Sequence, residues 1–344
     1  MNAKFEANQL TAIASALSDP AVIVDQLGVI RGANIPAYEL FDVDTVGKHL
    51  TVALRAPAIL HAINQANLNG VTSSVEHAIR FPAVRKIEVH IAPLGFDVSD
   101  KRLALVVLHD RTHEEQIERM RADFVANASH ELRTPLASIS GFIETMQGSA
   151  KNDAIARATF LKVMKAQADR MALLIDDLLS LSRIEITEHL APSEKADLTQ
   201  IVKQACDLLL PLAKNLKCEL QINLPNTMPV TGDTNQLSQV VHNLIENALK
   251  YAASGQKILV DGVITEDQTN LIVRDFGPGI APEHVPRLTE RFYRVSAEDS
   301  RSRGGTGLGL AISKHIINRH RGRLVIESVL GQGSKFSIQI PNKA

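Results

Sequence analysis

The amino-acid sequence predicts three folded parts: an N-terminal α+β domain, a long helical hairpin that forms a dimeric four-helix bundle, and a C-terminal α/β segment. Three observations lead to this fold class. The chain has 344 residues, too many for one ordinary core, since a domain takes about 150 residues. Apolar residues recur at three- and four-residue steps through the middle of the chain, with strand-like runs on both sides. Hydrophobic residues make up 45% and charged residues 22%, so every part has enough apolar surface to fold.

The near balance of charge argues against a nucleic-acid partner. Lys and Arg number 37 against 38 Asp and Glu, so no basic surplus is available to displace phosphate counterions. Cys206 and Cys218 form no CxxC pair, which indicates a reducing compartment. No run of about 18 uncharged apolar residues occurs, and the N-terminus lacks the apolar stretch of a signal peptide. We therefore expect the chain as given to be cytoplasmic.

Residues 1–110 are predicted to form the α+β domain. The strand-like runs are 21–24, 29–33, 103–108 and an alternating stretch that contains Ile87, Val89 and Ile91. Hairpin-like strands around a helical middle resemble a PAS sensor module, which Asn34 and the segment 37–41 also fit. The alternative is an α+β interaction domain without a ligand.

Residues 111–186 are predicted to form two long helices. Gly148 interrupts the helical pattern, and Asp153 is a suitable N-cap for the second helix. Two helices joined by a short loop form an antiparallel hairpin, which has too little surface to bury both apolar stripes alone. Pairing of two hairpins in a homodimeric four-helix bundle solves this problem. The stripes consist of Ile117, Met120, Phe124, Ala128, Leu132, Leu136, Ile139, Phe142, Ile143 and Met146, and of Phe160, Val163, Met164, Met171, Leu174, Ile175, Leu178 and Leu181.

A polar linker at 187–195 precedes the predicted α/β segment at 196–344. The hydrophobic pattern of this segment alternates between helix and strand periods. We expect helices over 198–216, 233–251 and 306–319, and strands over 218–224, 258–264, 271–275, 324–327 and 335–340.

Three glycine clusters mark the last segment: DFGPG at 275–279, GGTGLG at 304–309 and GQGS at 331–334. Glycine allows positive φ and close approach of the backbone, which phosphate-binding loops require. The middle cluster leads into a predicted helix, whose first N–H groups and dipole favour an anion. No Walker A motif is present, and a dinucleotide pattern starting at Gly305 fails because position 310 is Leu310. A nucleotide site of another kind and three ordinary glycine turns both remain open.

The predicted helix at 233–251 carries the sequence HNLIENALKY, which ends at Tyr251. Asn243, Asn247 and Lys250 fall at four- and three-residue steps and therefore share one face. Two amides and an ammonium suit phosphate oxygens and a hydrated hard cation, since Mg²⁺ keeps several of its waters. Asparagine is a poor helix former, so two within five residues need a reason. The alternative is a solvated helix face.

The first long helix contains the sequence SHELRTPLASI at 129–139. Pro135 removes a backbone donor and should kink the helix, yet the apolar stripe continues beyond it. Glu131 follows His130, and Thr134 lies one turn further on the same side. An exposed imidazole whose other nitrogen is held by a carboxylate is a stronger nucleophile. We therefore expect His130 to be a nucleophile, whereas the remaining histidines have the structural roles that are usual for isolated ones.

In this order, the motifs resemble those of the two-component sensor histidine kinases. Residues 130–136 are similar to the H box of that family, 243–251 to its N box, 275–279 to its D-x-G-x-G box, 291–295 to its F box, 305–310 to its second glycine box and 331–336 to its last glycine element. Thr289 departs from the pattern, because many members have the first phenylalanine of the F box there. The stretches 286–295 and 304–324 are similar to the phosphate-regulon sensor kinases in particular.

The resemblance implies a dimerising phosphoacceptor hairpin and an ATP-binding domain of the α/β sandwich type, with a mixed sheet under three helices. Asp275 would accept the adenine amino group, and Asn247 would ligate Mg²⁺ with support from Asn243. A mobile lid, residues 292–304, would close over the triphosphate. The implied ATP-binding residues are Asn243, Asn247, Lys250, Tyr251, Asp275, Gly277, Gly279, Phe292, Gly305, Thr306, Gly307, Leu308 and Gly309.

The resemblance also implies a reaction and its partners. His130 would attack the γ-phosphoryl group of ATP while Glu131 orients and deprotonates the imidazole. The phosphoryl group would then pass to an aspartate of a response regulator of the phosphate-regulon type. Members with the sequence H-E-x-x-T also dephosphorylate the regulator, and here that threonine is Thr134. The resemblance further implies that the protein is a homodimer and acts in phosphate-starvation signalling. A phosphate-transport complex, or its adaptor, would be a further partner.

Several alternatives stay open. Phosphate-regulon kinases usually carry N-terminal membrane helices, so the chain is either the cytoplasmic portion of a longer inner-membrane protein or a cytosolic PAS histidine kinase responding to another signal. Chaperone and topoisomerase relatives use the same nucleotide fold, but they lack an H box on a hairpin. A non-catalytic signalling scaffold is the third class, and the intact chemical positions argue against it.

Overall fold

A computed structural model describes residues 2–41, 45–79, 84–98, 101–295 and 305–342. The chain divides into two compact units, Met1–Asp123 and Phe124–Ala344. Within the described residues, no helix combines the length and the apolar character needed to cross a membrane.

The first unit is built on a five-stranded antiparallel sheet with the strand order β2-β1-β5-β4-β3. Its α+β class and the strand runs expected from the sequence are present. The sequence pattern did not predict the first helix, the third helix or the third strand. The strands are β1 Ala21–Asp25, β2 Ile30–Ala33, β3 Ser73–Ile79, β4 Arg85–Val98 and β5 Lys101–Asp110, and the helices are α1 Asn2–Ser15, α2 Ile35–Phe41 and α3 Pro57–Asn69.

Both faces of this sheet are covered, because successive residues of a strand point to opposite sides. Val22 of β1 belongs to a core that contains residues of α3, whereas Ile23 packs in a second core with Leu10 of α1. The buried amide of Asn34 joins the two layers. Its nitrogen donates to the carbonyl oxygens of three residues that follow or end α1, and its oxygen accepts the N–H groups of Ala21 and Ala37.

The helical hairpin consists of α4 Thr112–Gln147 and α5 Ala154–Thr187. Asp153 is the N-cap of α5, as expected, and its carboxylate accepts the N–H groups of Ile155 and Ala156. The helices are antiparallel: the rings of Phe142 and Phe160 lie 5.0 Å apart near the connecting loop. Pro135 is buried within an uninterrupted helix.

The remaining part of the second unit is an α/β sandwich. Its mixed sheet has the order β11-β12-β10-β9-β7, with β7 parallel to β9 and the other pairs antiparallel. A two-stranded ribbon of β6 and β8 accompanies it. The strands are β6 Lys195–Asp197, β7 Glu219–Asn223, β8 Pro229–Thr231, β9 Lys257–Ile264, β10 Gln268–Asp275, β11 Arg323–Val329 and β12 Gly333–Pro341, and the helices are α6 Leu198–Asn215, α7 Thr234–Ala252 and α8 Gly309–Arg319.

The core of the second unit lies between these three helices and the sheet, and the hairpin extends it. Leu174, Leu181 and Ile184 of α5 are buried in the same cluster as the inward-facing residues of α6, α7 and α8. Part of the apolar stripe of α5 therefore packs within the chain. This packing places α5 beside the site described next.

Candidate functional site

A cavity of about 580 Å³ is lined by α7, the end of β10, the beginning of α8 and part of α5. It gathers most of the residues that the sequence selected for nucleotide binding. Those that line it are Asn243, Asn247, Lys250, Tyr251, Asp275, Gly279, Gly305, Thr306, Gly307 and Gly309. A cavity of this volume, with a few convergent polar groups, is typical of a small-molecule site.

The polar face of α7 is fixed by a chain of hydrogen bonds. The amide nitrogen of Asn247 donates to the amide oxygen of Asn243 at 3.2 Å. The amide nitrogen of Asn243 donates in turn to the hydroxyl of Ser313 on α8 at 2.9 Å. Lys250 pairs with Glu246 one turn before it, with the charged atoms 2.9 Å apart. These bonds hold the amides and the ammonium in fixed positions along the cavity.

Asp275 lies at the end of β10 with 4% of its surface exposed. Burial raises the pKa of its carboxyl group, and hydrogen bonds from the N–H groups of Gly277 and Ser334 act in the opposite direction. Both N–H groups donate to the same oxygen, Oδ1. A buried, oriented carboxylate of this kind can accept a hydrogen bond from an amino group of a bound nucleotide base.

Two glycines are required where the backbone closes around the cavity. Gly279 has a φ of 69°, and a Cβ atom there would lie 2.1 Å from the carbonyl oxygen of Val329. A Cβ atom on Gly309 would lie 2.2 Å from the side-chain oxygen of Asn243. Glycine at 309 therefore lets the first turn of α8 touch the asparagine face of α7.

Three residues that the sequence placed in the nucleotide site do not line the cavity. Gly277 packs against Ala252 and donates its N–H to Asp275. Leu308 is fully buried in the core. Phe292 donates its N–H to the carbonyl oxygen of Gly307, and its ring lies 5.9 Å from that of Phe124 on α4. The part of the expected lid at 296–304 lies outside the described residues.

The predicted phosphoacceptor segment does not line the cavity either. His130 and Thr134 are exposed on α4. Glu131 forms two ion pairs through its Oε2 atom, one with Arg170 of α5 at 3.2 Å and one with Arg294 at 3.0 Å. The structure therefore separates His130 from the nucleotide cavity and surrounds Glu131 with two guanidinium groups.

Sequence reasoning missed two further residues of the site, Arg294 and Asp177. In the sequence, Arg294 was included only as part of the F-box segment 291–295, without a role of its own. Asp177 was only a polar residue between apolar positions of the stripe on α5. Asp177 of α5 accepts a hydrogen bond from the hydroxyl of Thr306 at 2.7 Å. Burial, together with Asp176 and Glu246, raises the pKa of the Asp177 carboxyl group. Their contacts join segments far apart in the chain, so no local spacing could have indicated them.

The donor set of the cavity suits a metal ion that a nucleotide carries with it. Among the described residues, no group of three or more His, Cys, Asp or Glu side chains is arranged to hold a metal ion. Mg²⁺ needs fewer protein ligands when phosphate oxygens and water complete its shell. The amides of Asn243 and Asn247 meet that requirement within the cavity.

Two family models match the hairpin and the sandwich. Residues 120–186 match the "His Kinase A (phospho-acceptor) domain", and residues 232–344 match the "Histidine kinase-, DNA gyrase B-, and HSP90-like ATPase". The order of the two matches is that of the hairpin and the sandwich.

Curated relatives agree with these matches. The phosphate regulon sensor protein PhoR of Pseudomonas aeruginosa is 32% identical over 94% of this chain, which covers 72% of that relative. The sensor protein kinase WalK of Staphylococcus epidermidis is 31% identical over 99% of this chain and 56% of its own length. The sensor-like histidine kinase SenX3 of Mycolicibacterium smegmatis is 36% identical over 70% of this chain and 63% of its own length. The chain thus spans about half to three quarters of these relatives.

Solved structures show the same architecture. The histidine kinase AdeS of Acinetobacter baumannii is 27% identical, with a TM-score of 0.51 over 62% of this chain and 98% of AdeS. The histidine kinase ThkA, solved in complex with the response regulator TrrA, shares the fold at 19% identity, with a TM-score of 0.52 over 95% of this chain and 96% of ThkA.

The phosphoacceptor hairpin and the ATP-binding sandwich together define a protein-histidine kinase, and this chain belongs to the sensor histidine kinases of two-component systems. Within that family it is a PhoR-like member.

Proposed function

We propose that this protein transfers the γ-phosphoryl group of ATP to His130 and from there to an aspartate of a response regulator. The observation that carries the proposal is the cavity, which gathers the asparagine face of α7, Asp275 and the glycines before α8. In this reaction the neutral imidazole of His130 attacks the γ-phosphorus in line with the departing ADP, and Glu131 accepts the imidazole proton.

The nucleotide would bind with its base against Asp275 and its phosphates beside Lys250, Tyr251 and the 305–309 backbone. Asn247, supported by Asn243, would hold Mg²⁺, which reduces the negative charge of the triphosphate. Gly277, Phe292 and Leu308 would act indirectly, by shaping the backbone and by packing the F-box segment against α4. Because His130 does not line the cavity, phosphoryl transfer requires a movement of the sandwich along the hairpin.

His130→Gln tests this proposal. We expect the variant to lose all incorporation of the γ-phosphate of ATP but to bind ATP as the unmodified protein does, because His130 lies outside the cavity. The label on the unmodified protein should be lost in acid and survive in alkali, as a phosphoramidate does. His113→Gln, which removes an exposed histidine from the same helix, is the control. Acid-stable label, or label retained by His130→Gln, would identify a different acceptor or a non-catalytic scaffold.

The remaining features of the proposal concern the setting of the kinase. We infer a homodimer, with domains at 1–110, 111–186 and 196–344 and a linker at 187–195. The first domain has the sheet order β2-β1-β5-β4-β3, and α2 and α3 lie between β2 and β3 in the chain. This arrangement supports a PAS-like role for the domain. Similarity to PhoR supports phosphate-starvation signalling through a phosphate-regulon regulator, with a phosphate-transport complex as the source of the signal. Similarity to WalK and SenX3 favours a second candidate, a kinase of the same class that responds to another signal.

A further inference from the structure

Arg294 has contacts on two sides. Its guanidinium pairs with Glu131 through one terminal nitrogen, at 3.0 Å, and the same residue lines the nucleotide cavity. The side chain is 9% exposed. A cation so far removed from water must be balanced by acceptors.

The balance around Arg294 is incomplete. Its Nε atom is buried and has no hydrogen-bond partner in the part of the chain that the structure describes. This atom lies beside Gly307, since a Cβ atom placed there would be 3.2 Å from it. Gly307 belongs to the glycine-rich segment that lines the cavity. A buried donor without an acceptor is costly, and a phosphate oxygen in the cavity is the kind of group that would satisfy it.

Glu131 has a second partner that does not depend on the cavity. Arg170 of α5 donates to the same oxygen, Oε2, at 3.2 Å, and it does not line the cavity. Arg170 and Glu131 both belong to the hairpin, so their pair persists when the sandwich moves. If Arg294 leaves, Arg170 therefore still orients Glu131, and the Glu131 carboxylate has one ion-pair partner fewer.

We propose that Glu131 and the triphosphate of ATP compete for Arg294, so that nucleotide binding releases the base that His130 needs. The inference rests on the proposed function, in which Glu131 accepts the imidazole proton. Arg294 is thus a positioning residue: it pairs with Glu131 when the triphosphate is absent and with the triphosphate when it is bound.

Competition of this kind has a thermodynamic signature. If binding of the triphosphate breaks the Arg294–Glu131 pair, removal of the Glu131 charge removes that cost and tightens binding. The pair is largely buried, so we expect a gain on the order of 5-fold in affinity. Adenosine has no phosphate to offer Arg294, so its affinity should not change.

The experiment is calorimetric titration of the full chain with a non-hydrolysable ATP analogue plus Mg²⁺, and separately with adenosine. Glu131→Gln should bind the analogue about 5-fold more tightly than the unmodified protein does, with adenosine binding unchanged. Glu144→Gln removes the same charge from an exposed position of α4 and is the matched control. It measures the effect of net charge alone and should leave both affinities unchanged.

A double-mutant cycle assigns the effect to Arg294. In an Arg294→Gln background, Glu131→Gln should have no effect on binding of the analogue. Arg294→Lys keeps the cation and should restore part of the gain, which also guards against a glutamine variant that misfolds. An unchanged or weakened affinity of Glu131→Gln, or a gain that persists without Arg294, would overturn the proposal.

Failure of the proposed function has a separate readout. Unmodified protein that binds the analogue but forms no acid-labile phosphohistidine would contradict the kinase reaction. The coupling between Glu131 and Arg294 would still be measured by the titrations, because they require no phosphoryl transfer.

Discussion

Thr134 and His130 lie one turn apart on α4 and are both exposed, but only the threonine has a fixed intrahelical bond. Its hydroxyl donates to the carbonyl oxygen of His130 at 3.2 Å. This bond uses the hydroxyl hydrogen and leaves the oxygen lone pairs available to water. The arrangement suits a residue that positions a water molecule beside a docked aspartyl phosphate without taking part in the attack on ATP.

Thr134→Ala should therefore leave autophosphorylation within a few-fold of the unmodified rate while strongly slowing dephosphorylation of the regulator. The measurement uses purified regulator, phosphorylated beforehand and mixed with each kinase variant and ADP. Thr134→Ser keeps the hydroxyl and is the matched control, expected to retain the phosphatase activity. If alanine lowers both activities in proportion, Thr134 acts only through stability, where an exposed substitution changes the free energy of unfolding by about 0.5 kcal/mol.

Helices α7 and α8 are joined at two places. The Asn243–Ser313 hydrogen bond connects them beside the cavity. At the second place, the N–H of Asp233, just before α7, donates to Nε2 of His320, just after α8, at 3.0 Å. Nδ1 of His320 lies 2.7 Å from the carbonyl oxygen of Ile316 and must donate to it. His320 therefore has to be neutral, because a protonated ring would turn Nε2 into a second donor facing an N–H group.

The stability of the second unit should consequently fall in acid. Burial lowers the pKa of His320 below its ordinary value of 6.5, Arg319 adds to this effect, and Asp233 opposes it. Below pH 6.5 the unfolded state binds more protons at this residue than the folded state, so the free energy of unfolding decreases with decreasing pH. The His320 contribution is fully present above pH 6.5, and its loss is at most about 1.4 kcal/mol for each pH unit.

Urea unfolding at pH 7.5, 6.5 and 5.5, followed by tyrosine fluorescence, measures this contribution. His320→Gln should be less stable than the unmodified protein at pH 7.5, and the difference should shrink as the pH falls. His189→Gln, which removes an exposed histidine from the same unit, is measured in parallel. A difference that does not depend on pH would show that His320 contributes packing alone.

At the level of elements, hydrophobic periodicity predicted the helices that bury apolar residues along one face. The stripes predicted α4 and α5, and Asp153 predicted the beginning of α5. β3 was not predicted although its residues alternate in burial, because its exposed and half-buried positions include Ser, Glu and His beside only a few apolar residues. α3 was missed although proline favours the first position of a helix, because Ala56 before Pro57 provides no side-chain cap and the helix is short.

On the scale of the whole molecule, the apolar stripes of the hairpin serve two purposes. Some of their residues pack into the core of the sandwich, as Leu174 and Leu181 do. Others stay exposed, among them Leu136 and Ile143, which are one heptad apart on α4, and Ile175 on α5. Spacing of seven residues is typical of helices that pair in a bundle. The exposed part of the stripes therefore supports the inferred dimer.

Ile143→Glu should shift the protein from a dimer to a monomer of 37.5 kDa, because a buried unpaired carboxylate at a bundle seam is unfavourable. Sedimentation velocity gives the mass directly. Leu208→Glu is the matched control, since Leu208 is exposed on α6, outside the hairpin. It should leave the mass unchanged. A dimer that survives Ile143→Glu would place the interface elsewhere.

The sequence by itself determined the class of protein, the order of its parts and many of the residues that line the cavity. These properties depend on local spacing: asparagines one turn apart on α7, glycines that lead into α8, and His130 beside Glu131 on a long helix. Such spacing is fixed by the geometry of a single element and is legible in any short window of the chain.

Only the tertiary structure decided which groups surround Glu131, the predicted general base, and which face of α5 is buried. Arg294 and Glu131 are 163 residues apart in the chain, and their pairing depends on how the sandwich packs against the hairpin. A stripe of apolar residues can be buried by several partners with similar gain, because the hydrophobic effect has no direction. The choice among those partners is made by the whole set of surfaces in the folded chain, and no local pattern contains it.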